Sequence, residues 1–88
     1  MQQNYMQTLK GTVEKIKVLK LSMSPLVRFS IGGVNCLIAS HSLNFLYEVA
    51  EGSEVIIGGV YNSRKQFVVK KYCVSKSEVN TYGNKSFS

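Results

Sequence analysis

The sequence has no tryptophan, a single proline, a single histidine and two cysteines, and all five of its acidic residues are glutamates. Each shortage closes off a kind of chemistry. His41, together with Cys36 and Cys73 and no C-x-x-C, cannot supply a zinc site at the usual ligand spacing. His41 stands beside Ser42, but neighbours in a chain rarely face each other, and no acidic residue is placed to orient the imidazole. Glu48 and Glu51 share a helix face and are expected as an exposed helix end rather than as an acid–base pair. The Gly-Gly pairs at 32–33 and 58–59 match no phosphate-loop spacing. The chain is therefore read as a non-enzyme, with no catalytic residue, metal or cofactor expected.

Long apolar runs are also missing. The stretch "VIIGGVY" falls far short of the roughly 20 residues that a membrane-spanning helix needs. The start, "MQQNYMQTLK", has neither the basic leader nor the apolar core of a signal peptide, so a cytoplasmic location is expected. In that setting the two cysteines read as buried thiols rather than a bridge.

The last shortage is regional: no Lys or Arg occurs between Arg28 and Arg64. The net charge of +6 is carried by two blocks, Lys10 to Arg28 and Arg64 to Lys85, with Glu48, Glu51 and Glu54 between them. If the two ends of the chain meet in the fold, one side becomes basic and the other mildly acidic, a layout suited to a polyanion.

What is present is β-rich. At 88 residues and 44% hydrophobic, the chain can build one small core. Leu9, Gly11 and Val13 alternate, Glu14 and Lys15 interrupt, and Ile16 and Val18 resume on the other parity. A one-residue slip inside a long strand predicts a β-bulge. "LSMSP" breaks the pattern, and Val27, Phe29 and Ile31 then alternate with Arg28 and Ser30 as a half-buried strand. The tetrapeptide Ile-Gly-Gly-Val occurs twice, at 31–34 and 57–60. The first copy joins two strand-like runs and predicts a tight type I′ hairpin. For the second, a turn at Asn62–Lys65 pairs "VIIGGVY" with "QFVVKKY" in matching lengths, which leaves Gly58 and Gly59 inside a strand as a point of bending or close backbone approach.

Between these strands lies "SHSLNFLYEVAEG", where Leu43, Leu46, Tyr47 and Ala50 fall on one face of a short helix. Ser40 or Ser42 is expected to cap it and Gly52 to close it. Phe45 and Val49 lie off that face, as suits a helix plugging the end of a barrel. Residues 1–7 and 76–88 are polar and expected to be flexible tails around a domain at 8–75.

The order is long bent strand, strand, tight hairpin, strand, short helix, strand, polar hairpin loop, strand. On that order, the bulged first strand, the "EGSEVIIGGVY" entry to strand four and the "YNSRKQFVVKKY" hairpin, the chain resembles the OB-fold family, an all-β, five-stranded Greek-key barrel. An SH3-like barrel fits less well because of the helix before the last two strands. Within the family the look is nearest to single-stranded nucleic-acid-binding modules of the replication type. The acidic tail that bacterial single-strand binding proteins use to recruit partners has no counterpart in "YGNKSFS".

The resemblance implies a ligand lying across strands two and three, flanked by the loop between strands one and two and the loop between strands four and five. Carried onto this chain, it implies a groove that collects Lys20, Arg28, Arg64, Lys65 and Lys70 as cations, with Tyr61 and Tyr72 as stacking platforms. Ser30 would point outward beside Arg28, and Lys70 would share a parity with Tyr72, opposite Phe67 and Val69. The expected partner is single-stranded DNA or RNA bound with little sequence preference. The competing expectation is a protein-interaction module or homodimer that binds no nucleic acid, and no membrane association is expected in either case.

Overall fold

In the computed structural model, which describes residues 5–75, the chain runs β1 (Gln7–Lys20), β2 (Leu26–Ile31), β3 (Val34–Ile38), α1 (Ser42–Glu48), β4 (Glu54–Tyr61) and β5 (Phe67–Val74). The strands close into a barrel in the order β1-β2-β3-β5-β4, with every pairing antiparallel except β3 with β5. The all-β barrel with one helix between β3 and β4 is the expected architecture. Strand β1 begins at Gln7, one residue before the expected domain boundary; the rest of the two expected tails falls largely outside the described residues.

Closure depends on β1 serving two partners. Gln7 to Thr12 pair with β4, and Val13 to Lys20 pair with β2. The handover is the expected bulge: Glu14 pairs with Ser30 and Lys17 with Arg28, so β1 carries one extra residue, and Lys15 takes a left-handed φ of 58°. The slip lets Val13 before the bulge and Ile16 after it both face the core. Bulging also frees the Ile16 N–H from the ladder, and Glu51 Oε2 accepts it at 2.9 Å. Backbone bonds from Val13 N to Ser53 O and from Gly52 N to Val13 O, both 2.8 Å, fasten the segment before β4 to the same spot. Glu51 is thus a clasp on the bulge rather than only an exposed helix end.

The first Ile-Gly-Gly-Val is the tight hairpin between β2 and β3, with φ of 55° at Gly32 and 84° at Gly33. The second copy lies inside β4. A Cβ at Gly59 would sit 2.0 Å from the Val68 carbonyl oxygen, so the pair of strands can approach this closely only without a side chain there. Opposite the glycines the register slips: Gly58 pairs with Lys71 but Gly59 with Val69, leaving Lys70 as an extra residue on β5.

That second bulge overturns the expected parity of β5. Phe67 and Val69 point inward as expected, Lys70 and Lys71 are both exposed, and Tyr72 and Val74 turn back toward the core. The helix face also differs from expectation. Of the expected face, Leu43, Tyr47 and Ala50 are exposed and only Leu46 packs against the core, while Phe45 and Val49 are buried. In a helix of two turns both stripes satisfy helical spacing, and the mouth of the barrel takes the one with phenylalanine. Phe45 stacks on Phe29 at 4.6 Å between ring centroids and meets Tyr72 edge-on at 5.3 Å, so α1 does plug the barrel. Neither serine caps the helix: His41 is the N-cap, in a left-handed conformation and with no side-chain capping bond, and Ser42 is buried. The helix ends at extended Val49, and Gly52 serves the following turn instead, at φ 97°.

Candidate nucleic-acid interface

Register places the functional side chains. Lys17 of β1 is opposite Arg28 of β2, Arg28 is opposite Leu37 of β3, and Leu37 is opposite Val68 of β5. All four point away from the core, so one row crosses four strands of the barrel wall. Two exposed cations occupy one end and two half-buried aliphatic side chains the other. Like charges directly opposite each other across an antiparallel pair repel, at roughly 0.2–1 kcal/mol. Folding gains nothing from that arrangement, whereas a phosphate lying between the two would be held by both.

The loops flank the row. Residues 21–25 join β1 to β2 and begin just past exposed Lys20, the last residue of β1. A serine turn stiffens this loop, with Ser22 Oγ donating to Ser24 O at 2.9 Å and accepting from Ser24 N at 3.2 Å. Because β5 runs parallel to β3 from Cys36↔Phe67 onward, the loop at 62–66 lies at the opposite end, beside the β2–β3 hairpin.

Asn62 builds that second loop from within. Its Oδ1 accepts from Arg64 N at 2.9 Å and from Gln66 N at 3.0 Å, and its Nδ2 donates to Gln66 Oε1 at 2.9 Å. Backbone bonds from Asn62 N to Gln66 O and from Lys65 N to Asn62 O close the turn, with Lys65 at φ 64°. An asparagine side chain that bonds to backbone N–H groups ahead of it holds such a turn without help from a strand. The result is that Arg64 and Lys65 stand exposed on an ordered tip. At its base, Tyr61 meets Phe67 edge-on at 5.1 Å and leaves part of its ring in solvent.

The expected groove is therefore divided. Lys20, Arg28, Tyr61, Arg64 and Lys65 lie on or at the ends of the β2–β3 face. Lys70 and Tyr72 line a different hollow, of about 610 Å³, between β5 and α1. Tyr72 is turned there by the β5 bulge, and its hydroxyl donates to Glu48 Oε1 at 2.9 Å. Burial, then the bond to Glu48 and its charge, push the Tyr72 hydroxyl up to about 12. Ser30 alternates outward between Phe29 and Ile31 as expected but is covered, with its Oγ 3.4 Å from the carbonyl of its cross-strand partner Glu14. Nor are the cations confined to one side, since exposed Lys10 and Lys71 face out from β1 and β5 beside Ile56 and Gly58 of β4.

Sequence reasoning missed Lys17, Leu37 and Val68, and it read Asn62 only as a turn residue. The parity slip after Glu14 was the available signal for Lys17: if Ile16 and Val18 face inward, the residue between them faces out.

Burial alone, offset by a backbone bond, pushes the Cys36 thiol up to about 11; it and exposed Cys73 are both free. Among the described residues no cluster of three or more His, Cys, Asp or Glu could hold a metal ion, and no helix is long and apolar enough to cross a membrane.

No protein-family model and no curated protein sequence matches the chain. In structure it is similar to Rim1, a mitochondrial single-stranded DNA-binding protein from S. cerevisiae, with a TM-score of 0.69 and 15% sequence identity over 88% of this chain and 100% of that one. At that identity the likeness establishes architecture, and it agrees with the closed β1-β2-β3-β5-β4 barrel: the chain has the OB fold.

Proposed function

We propose that the protein binds single-stranded DNA with little sequence preference across the outer face of β2 and β3. The observation that carries this is the Lys17–Arg28 pair, two cations opposed across a strand pair with no folding benefit. The half-buried Leu37 and Val68 beside them offer apolar surface to bases, and Arg64 and Lys65 extend the cationic track at one end as Lys20 does at the other. Phosphate contacts of this kind carry no sequence information, which fits low specificity. The fold shared with a single-stranded DNA-binding protein supports the reading, as does the shortage of groups for catalysis.

Fluorescence polarisation of a labelled oligothymidine at rising salt tests it. The affinity is expected to fall linearly on a log–log plot, with a slope of roughly −0.7 per phosphate neutralised. Absence of binding at about 50 mM salt removes the reading. An RNA oligonucleotide of equal length, run as competitor, decides between the two nucleic acids.

A second reading rests on a different surface. Ile56 is exposed on the outer side of β4, exposed Met6, just before β1, reaches Gly58 beside it, and Tyr5 next to Met6 in the chain is exposed as well. A surface of that kind suits a second copy of the chain. Light scattering would then give a dimer mass or higher, and a monomer at all concentrations removes that reading while leaving the first intact.

A further inference from the structure

The hollow between β5 and α1 has no part in the face described above, and three features of it lie outside the core. Tyr47 stands 92% exposed on the helix surface, a large ring with nothing packed on it. Lys70 and Lys71 are exposed side by side, because the β5 bulge turns two successive residues outward. The third feature is the space itself, about 610 Å³, lined by these three and by Asn44, Glu48 and Tyr72.

We propose that this hollow is a second contact point for the same single strand, with one base stacked on Tyr47 and the adjoining phosphates held by Lys70 and Lys71. The proposal rests on the binding function proposed above. Its geometry is continuous with the β2–β3 face: Val68 ends the row on that face, and Lys70 follows two residues later, about 7 Å along the strand. A strand leaving the face over Val68 meets the lysines next and the tyrosine beyond them.

The floor of the hollow is rigid. Tyr72 is held edge-on against Phe45 and bonded through its hydroxyl to Glu48, so a base would enter a preformed site. That bond engages one oxygen of Glu48, whose single negative charge is set against the two positive charges of Lys70 and Lys71. Asn44 offers an amide to a base edge. Leu43, one turn before Tyr47, is exposed as well, so the same helix surface could instead seat a protein, and the experiment separates the two.

The probe is a series of oligothymidines, from about 4 nucleotides to beyond about 16, the range that one OB barrel covers. It is titrated against the wild-type protein, Tyr47→Ala, Tyr47→Phe and Lys71→Ala. Tyr47 is almost wholly exposed, so its replacement leaves the core untouched. The expected result is that the shortest oligonucleotides bind Tyr47→Ala like wild type, while the longer ones lose about tenfold in affinity. Tyr47→Phe should keep the wild-type affinity at every length, since stacking needs the ring and not the hydroxyl. Lys71→Ala should lower the salt slope by about 0.7 for the long oligonucleotides alone. If Tyr47→Ala matches wild type on the long ones, or weakens all lengths equally, the second contact is overturned and the β2–β3 face stands. If light scattering shows self-association that Tyr47→Ala abolishes while long-oligonucleotide affinity is unchanged, the hollow belongs to a protein and the proposal fails. If the wild-type protein binds none of the series, the function itself fails and this inference with it.

Discussion

The barrel turns two different surfaces outward. Across β1, β2, β3 and the start of β5 the outward row begins with Lys17 and Arg28 and passes to Leu37 and Val68. Across β1, β4 and β5 the outward positions are Lys10, Ile56 and Cys73 in one row and Thr8, Gly58 and Lys71 in the next, with Met6 against the glycine. The first surface concentrates charge where it costs folding energy and is flanked by ordered polar loops. The second spreads its charge and exposes the apolar side chains of Met6 and Ile56. Net charge therefore says little about where a polyanion would lie; cross-strand register says more, because it determines which cations share a face.

The change with the largest expected effect abolishes the distinction by damaging both surfaces at once. Gly59→Ala would place a Cβ 2.0 Å from a backbone oxygen that cannot move without opening the β4–β5 ladder. A loss of at least about 1–3 kcal/mol is expected in chemical denaturation. Gly58→Ala, one residue away, meets only flexible side chains, Lys71 at 3.0 Å and Met6 at 3.4 Å, and should cost less than about 1 kcal/mol. Equal effects would mean that the close approach at Gly59 is not what shapes the bulge.

The next prediction sharpens the contrast directly. Reversing Lys17 and Arg28 together to glutamate should lower the salt slope for oligonucleotide binding by about 1.4 and weaken binding severely. Lys10→Glu, the same change of charge on the other surface, should leave the slope close to wild type. The comparison fails if the two variants lose affinity alike.

A smaller effect separates the helix-covered side of β5 from both faces. Tyr72→Phe removes the bond to Glu48 and should cost about 1 kcal/mol of stability, with oligonucleotide binding by the β2–β3 face preserved. The pH dependence gives the sign. The folded state holds the Tyr72 proton more tightly than the unfolded chain, its hydroxyl being pushed from the ordinary 10.0 to about 12. The stability so gained is whole below pH 10 and is lost as the pH rises toward 12. Thermal melts across that window should show a decline that flattens in Tyr72→Phe.

Much of the barrel was legible in the sequence because its constraints are local. The slip from Val13 to Ile16 marked the β1 bulge, the Gly32–Gly33 pair its hairpin, and Asn62 and Ser63 the second turn. The site was legible only in pieces. Lys70 and Lys71 carry no apolar marker of phase, and the cause of their bulge lies across the ladder at Gly59, so the turn of Tyr72 away from the β2–β3 face could not be read from β5 alone. Likewise Leu43–Tyr47 on α1 and Phe45–Val49, which runs to its C-cap, have the same spacing. The choice between them was made by Phe29 and Tyr72, which are far off in sequence but in contact with Phe45. Lys17 acquires meaning only once Arg28 is known to be its neighbour.

The most direct measurement is an amide chemical-shift titration of the isotopically labelled protein with an oligothymidine just long enough to cross one barrel face. Perturbations are predicted at Lys17, Arg28, Leu37, Arg64, Lys65 and Val68, with Thr8, Lys10 and Ile56 unmoved. Shifts confined to Thr8, Lys10 and Ile56, or no shifts at saturating oligonucleotide, would contradict the assignment of the β2–β3 face as the binding surface.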